Sequence, residues 1–306
     1  MGDKTGISWT ESTWSPVTGC TRVSAGCGGP GDAGGCYAER LAATRLKNHQ
    51  RYKGVAEMKD GKPRWTGLVR THPDFLDQPL CWKRPRRIFV CSQSDLFHKD
   101  VSDEFIAAVF GVMAAAAQHT FQVLTKRAAR LPEWFAWVGD DANRAMAAMR
   151  RYLIGGGTTG LRNLLDDGVR WPLPNVHLGV SCEDQATADE RVPLLLQVPA
   201  AVHWVSAEPL LAAVDLRAVQ MPDGDSLGEG LFSHGEGNGV AWVVTGGESG
   251  PGARPMDVAW AQSLADQCRA AGVGFFMKQD SGQKAGQQGR IPDDLWAYKE
   301  SPGVRQ

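Results

Sequence analysis

Val176-His177-Leu178-Gly179-Val180 runs straight into Ser181-Cys182-Glu183-Asp184, an apolar stretch that stops abruptly at polar residues. The same transition recurs along the chain. Arg87-Ile88-Phe89-Val90-Cys91 ends in Ser92-Gln93-Ser94-Asp95, and Phe121-Gln122-Val123-Leu124 ends in Thr125-Lys126-Arg127. Val202-His203-Trp204-Val205 precedes Ser206-Ala207-Glu208-Pro209, Val240-Ala241-Trp242-Val243-Val244 precedes Thr245-Gly246-Gly247-Glu248, and Gly274-Phe275-Phe276-Met277 precedes Lys278-Gln279-Asp280. Short apolar and β-branched runs of this kind fit strands buried on both faces.

Helix-like segments lie between them. Ser102 to Gln118 is the clearest, with Ser102 as N-cap and Asp103 and Glu104 in the first turn, and Met256 to Ala271 is a second. Strand and helix in alternation predict α/β architecture: a complete or partial parallel, TIM-like (β/α) barrel in one domain spanning 1–306. Its chemistry is expected at the C-terminal ends of the strands, where this chain places its polar residues. Three stretches break the rhythm and read as insertions, near 48–82, 139–174 and 222–239. The middle one carries a helix-like run from Asp141 to Leu153 before Gly155-Gly156-Gly157.

The composition of the 306 residues, 42% hydrophobic and 22% charged, is that of a globular enzyme rather than a disordered chain. With 33 basic and 34 acidic residues, any grip on nucleic acid must come from a local patch. The start of the chain shows no secretory pattern and no stretch is apolar enough to span a membrane, so a soluble, cytoplasmic location (host cytoplasm for a phage protein) is expected. Seven scattered cysteines do not suit a disulfide framework.

Cys20, Cys27 and Cys36 cluster in a Gly-rich stretch, with six and then eight residues between them. Glycines let the backbone fold tightly enough to aim several thiolates at one centre. Thiolate donors select zinc or iron-sulfur clusters, and three without a fourth nearby leave a coordination position open. Two other readings stay open: three unrelated buried thiols, or a structural zinc site completed by a distant residue such as His98. Cys81, Cys91, Cys182 and Cys268 lie in apolar or helical settings and are read as core.

Trp9-Thr10, Thr13-Trp14-Ser15-Pro16-Val17-Thr18-Gly19-Cys20, Cys36-Tyr37-Ala38-Glu39-Arg40 and Ser94-Asp95-Leu96-Phe97-His98 carry a family resemblance. Leu124-Thr125-Lys126-Arg127, Leu178-Gly179-Val180-Ser181, Glu208-Pro209-Leu210, Gly246-Gly247-Glu248-Ser249-Gly250 and Phe276-Met277-Lys278-Gln279 extend it over most of the chain. In these motifs the chain resembles the phage and bacterial family called gp thirty-seven/gp sixty-eight, which is more distantly similar to radical S-adenosylmethionine enzymes. The resemblance implies a 4Fe-4S cluster on Cys20, Cys27 and Cys36, with S-adenosylmethionine bound beside it and an external electron donor. The insert from Gly28 to Gly35 lengthens the second gap relative to that family and is read as an outward bulge.

The same resemblance implies cofactor contacts from Tyr37, Ser94, Asp95, Ser181, Glu183, Gly247 and Glu248, with Asp95 accepting from the cofactor's amine. Asp95 is also readable as an N-cap or turn aspartate before the helix at Ser102. The strand-end Lys126 is readable as a cation that holds the cofactor's carboxylate or as a solvated charge. Glu208 and Lys278, at strand ends, are the candidate catalytic pair; Glu208 is also readable as a structural carboxylate and Lys278 as a solvated charge. Lys83-Arg84-Pro85-Arg86-Arg87, with Trp65 and Trp82 nearby, reads as a solvated loop or as a contact for a nucleic acid or nucleotide substrate. Two functions follow: a radical S-adenosylmethionine enzyme, or a non-catalytic metal-stabilised protein, zinc or iron-sulfur, that binds nucleic acid or another partner.

Overall fold

A computed structural model describes residues 5–29, 34–139, 147–148, 151–152, 171–221 and 239–302. The six expected strands form and a seventh joins them: β1 (Ser12–Trp14), β2 (Arg87–Val90), β3 (Thr120–Thr125), β4 (Val176–Ser181), β5 (Val202–Ala207), β6 (Val240–Gly246) and β7 (Gly274–Gln279). They pair in sequence order, all parallel, into one sheet curled into a half-barrel with flanking helices. This is the partial barrel that the alternating pattern predicts. β1 escapes the pattern because it has only three residues and sits at the sheet edge.

Alternation along the strands separates two apolar layers. Ile88, Val90, Phe121, Val123, Leu178, Val180, Val205 and Val243 point outward into the main core against the helices. α1 (Tyr37–Ala43) packs apart from this core, with Tyr52 and Val55, and the core helices are α2 (Asp103–Ala115), α3 (Arg130–Gly139), α4 (Gln185–Leu196), α5 (Val258–Ala271) and α6 (Asp293–Trp296). The Ser102 hydroxyl accepts from the Phe105 N–H, so the N-cap of α2 is where the sequence puts it. Every residue from Phe105 to Ala114 is buried, so α2 is covered all round rather than half-solvated.

The inner face is different. Phe89, Trp204, Trp242, Val244 and Phe276 fill the concavity around Trp9, which lies just before β1. Trp9 stands 4.8 Å from Phe89, 5.3 Å from Trp204 and 5.9 Å from Trp242, ring centre to ring centre, and so joins β2 to β5 and β6 across the interior. Gly179 pairs with Trp204 in register, and a Cβ there would stand 2.5 Å from the indole.

The insertion near 48–82 is structured. It contains a hairpin (Ala56–Lys59 with Lys62–Trp65) and a short strand, Arg70–Thr71, that pairs with Val17–Thr18 beside the Cys20 loop. The helix-like run from Asp141 to Leu153 lies almost wholly outside the described residues, as does most of the insertion near 222–239. Among the described residues, no helix is long and apolar enough to cross a membrane. Cys91, Cys182 and Cys268 are buried as expected; Cys81 is exposed, because it closes a 3-10 turn at the surface rather than entering the core.

Gly179→Ala should lower stability by about 1–3 kcal/mol through overpacking, and Trp204→Phe in the same chain should recover part of the loss in urea unfolding. Burial holds the His177 imidazole down at about 4, below its ordinary 6.5. The folded state therefore binds this proton more weakly than the unfolded chain. The stabilising contribution is complete above about pH 6.5 and disappears as pH falls toward 4. His177→Gln should flatten that acid limb, read as urea midpoints at pH 7 and 4.5.

Candidate functional site

All seven parallel strands end on the same side of the sheet, and a cavity of about 560 Å³ opens there. Cys20, Cys27 and Cys36 all line it. They are free thiols, Cys27 buried and the other two half-buried. Burial pushes the Cys20 thiol up to about 12, against the opposing charge of Arg127, and the Cys36 thiol up to about 11. Both thiols are therefore neutral until a cation displaces their protons. Among the described residues, no group of three or more His, Cys, Asp or Glu side chains converges tightly enough to hold a single metal ion. An iron-sulfur cluster makes a looser demand, because each thiolate ligates its own iron at a corner of the cluster.

Each thiol-bearing segment is fixed by polar contacts. Gly19 has φ +87°, and a Cβ there would meet the Leu68 carbonyl oxygen at 2.1 Å. Next to Cys20, Thr21 accepts from Arg127 through both its carbonyl (3.0 Å) and its hydroxyl (2.9 Å). Cys27 ends a 3-10 turn, Ala25–Cys27, seated on Glu183. Ser24 donates to the Glu183 carboxylate at 3.1 Å, and Gly26 packs so closely that a Cβ would stand 2.3 Å from the same oxygen. The Gly35 N–H, beside Cys36, donates to Glu248 at 3.0 Å. Arg254 links two segments, pairing with Glu248 and donating to the Ala25 carbonyl, each at 2.8 Å. Arg22 clasps the buried Glu39 of α1, which also accepts from the Trp65 N–H at 2.7 Å.

Three carboxylates expected to face a cofactor are already occupied. Asp95 accepts from Phe97 N–H and the Thr125 hydroxyl on one oxygen, and from Lys126 N–H and Arg127 on the other, all within 3.1 Å. Its four acceptor positions are taken, so it braces the ends of β2 and β3 rather than offering an acceptor to an amine. Glu183 lies behind the cavity wall, paired with Lys126 and with Arg191 at 3.1 Å. Glu248 lines the wall but is committed to Arg254 and Gly35; those hydrogen bonds hold its carboxyl below the usual range despite burial. The Ser94 hydroxyl is spent on the Val17 carbonyl at 2.8 Å, and the Tyr37 hydroxyl on the Ser92 carbonyl.

The remaining candidates do face the cavity. Ser181 is in register with Ser206 on β5, and both line it with Lys126 and Gly247. Glu208 and Lys278 also line it and form an ion pair. His98 does not: its ring is buried, Nε2 meets the Thr21 hydroxyl at 2.9 Å and Nδ1 accepts from Asp100 N–H at 3.2 Å. It buttresses the Cys20 loop, which removes it as a fourth zinc ligand. The basic run leads into the start of β2, at the opposite end of the sheet, where Arg86 stacks on Trp82 and Arg87 pairs with Glu11. The part of the Gly28–Gly35 insert from 30 to 33 lies outside the described residues.

Sequence reasoning passed over Arg22, Glu39, Arg191, Arg254 and Ser206. The signal for Ser206 was present, since it stands at a strand end in the same polar step as Ser181. Arg191, in α4, and Arg254, after β6, are far from the thiol loop in sequence and only the fold brings them to it, whereas Arg22 lies within the loop itself.

A family profile described as a protein of unknown function (DUF5131) matches residues 4–294. No curated protein and no solved structure matches the chain.

Asp95→Asn should destabilise the protein by about 3 kcal/mol, because it removes the buried carboxylate that answers the half-buried Arg127 guanidinium. Chemical denaturation checks the loss. Modification of Cys20 by a thiol reagent should also quicken as the Thr21 contact loosens.

Proposed function

Because the chain belongs to that family of unassigned function, we propose an activity from the site itself: an iron-sulfur enzyme of the radical S-adenosylmethionine type. The observation that carries this reading is that three free thiols line one cavity at the C-terminal mouth of a parallel half-barrel. In such folds reactions take place at that mouth.

Cys20, Cys27 and Cys36 would hold the cluster, whose soft thiolate donor set they supply. When bound, the cluster would supply the one-electron reductive cleavage of S-adenosylmethionine and, with it, hydrogen-atom abstraction from a substrate. The protein's own groups orient these partners. Lys126 retains N–H donors for the cofactor's carboxylate, and Ser181 a hydroxyl for its ribose. Glu208 and Lys278 stand where a substrate proton would be held or moved. The Trp9, Phe89 and Leu124 side of the cavity keeps water from the reacting atoms.

Anaerobically reconstituted protein should carry iron and sulfide, bind S-adenosylmethionine and, once reduced, release 5′-deoxyadenosine. Cys20→Ala, Cys27→Ala and Cys36→Ala should each lose the iron and the product, whereas Cys268→Ala, on the buried face of α5, should keep both. A protein that holds zinc and no iron, or full iron content in Cys27→Ala, would sink the proposal.

A further inference from the structure

We propose that the Glu208–Lys278 pair reads the substrate's edge, and that the substrate is an uncharged planar ring with an N–H beside a C=O, as in a cyclic amide or imide.

The charge balance of the cavity comes first. Asp95 and Glu248 have their charges answered by Arg127 and Arg254, Glu183 is answered twice, by Lys126 and Arg191, and Arg40 on the same lining donates to the Ser249 carbonyl at 3.4 Å. Glu208 differs. Its Oε1 accepts from the Lys278 ammonium, and both side chains keep part of their surface exposed, 16% and 17%. The pair therefore offers a ligand one carboxylate oxygen as acceptor and ammonium N–H groups as donors. The two residues come from β5 and β7 and meet across Gly246 of β6, where no side chain intervenes.

A balanced ion pair disfavours a charged ligand. An anion would have to draw Lys278 away from Glu208, and a cation the reverse. The ligand that suits both at once puts a donor next to an acceptor, donating to Glu208 and accepting from Lys278. On one side the cavity is lined by Trp9, Phe89 and Leu124, a surface suited to a flat ring. Ser181 and Ser206 add hydroxyls along the same wall.

This inference rests on the same cavity being the reaction site but not on the metal, so it is tested on metal-free, full-length protein. Calorimetric titration would compare uracil, which has the N–H and C=O edge, with 1,3-dimethyluracil, which lacks the N–H, and with benzoate, a flat anion. Uracil should bind saturably at one site and at least about tenfold more tightly than either, the worth of one charge-assisted hydrogen bond. Glu208→Gln should lower uracil affinity about tenfold and raise that of benzoate, since Lys278 is then unopposed. The charge exchange Glu208→Lys with Lys278→Glu should restore the uracil preference, and thermal unfolding checks that each variant folds. Equal binding of uracil and dimethyluracil, tighter binding of benzoate to the native protein, no binding of uracil, or an unchanged preference in Glu208→Gln would each overturn the proposal. Loss of the iron-sulfur reading would leave these affinities unaltered, so the two failures are separable.

Discussion

Glu183 has no exposed side-chain surface, and an isolated carboxylate so placed would cost several kcal/mol to desolvate. It is tolerated because Arg191 reaches it from α4 at 3.1 Å, Lys126 from the end of β3, and Ser24 from the thiol loop. That convergence joins three parts of the molecule, and the Cys27 turn can sit in only one place while it holds. Gly26 makes the seat tight, since any side chain there would enter the carboxylate. Glu248 does the same for Gly35 and, through Arg254, for Ala25. Buried ion pairs of this kind add little net stability against apolar residues of the same size, but removing one partner is costly. Their effect here is positional.

The half-barrel makes such a device available. Parallel pairing sends every strand end to one mouth, so residues far apart in sequence arrive as neighbours: Asp95, Lys126, Glu183 and Glu248 follow four different strands. The floor has to be filled as well, because an incomplete barrel leaves its concave face without the opposite wall. Trp9 supplies the missing bulk from outside the sheet, touching rings on β2, β5 and β6. Packing on that floor and charge pairing at the mouth thus bound one cavity from two sides.

The polar step after β4 shows what was legible in the sequence. Ser181-Cys182-Glu183-Asp184 announces a strand end, and the structure gives its four residues four separate tasks. Ser181 faces the cavity, Cys182 enters the core, Glu183 seats the thiol loop and Asp184 caps α4 in a capping box with Thr187. Strand ends are readable because burial on both faces leaves a recognisable apolar run. The direction of each polar side chain beyond them is not, since it depends on which distant cation answers it. The sequence therefore places Asp95 and Glu183 at strand ends but does not show the cations that occupy them. The thiol loop was legible from glycine and cysteine spacing, whereas Arg254 and Arg191, which hold it through Glu248 and Glu183, carry no local signal.

Saturation of those carboxylates also decides where chemistry remains open. A carboxylate with both oxygens fully hydrogen-bonded is a poor proton acceptor and has nothing left for a ligand, however close to the cavity it lies. Asp95 meets that description. Glu248 meets it too, with two hydrogen bonds on each oxygen from Arg254 and Gly35. Glu208 does not: it answers one flexible ammonium through one oxygen, at a wall it shares with two serine hydroxyls. Lysine is the partner that permits this, because an ammonium on a long stem can turn its remaining N–H groups to a ligand without leaving the pair, whereas a bidentate arginine would lock both oxygens. The side chains that build the mouth and the side chains that can act within it are therefore distinguished by the kind of cation each carboxylate was given.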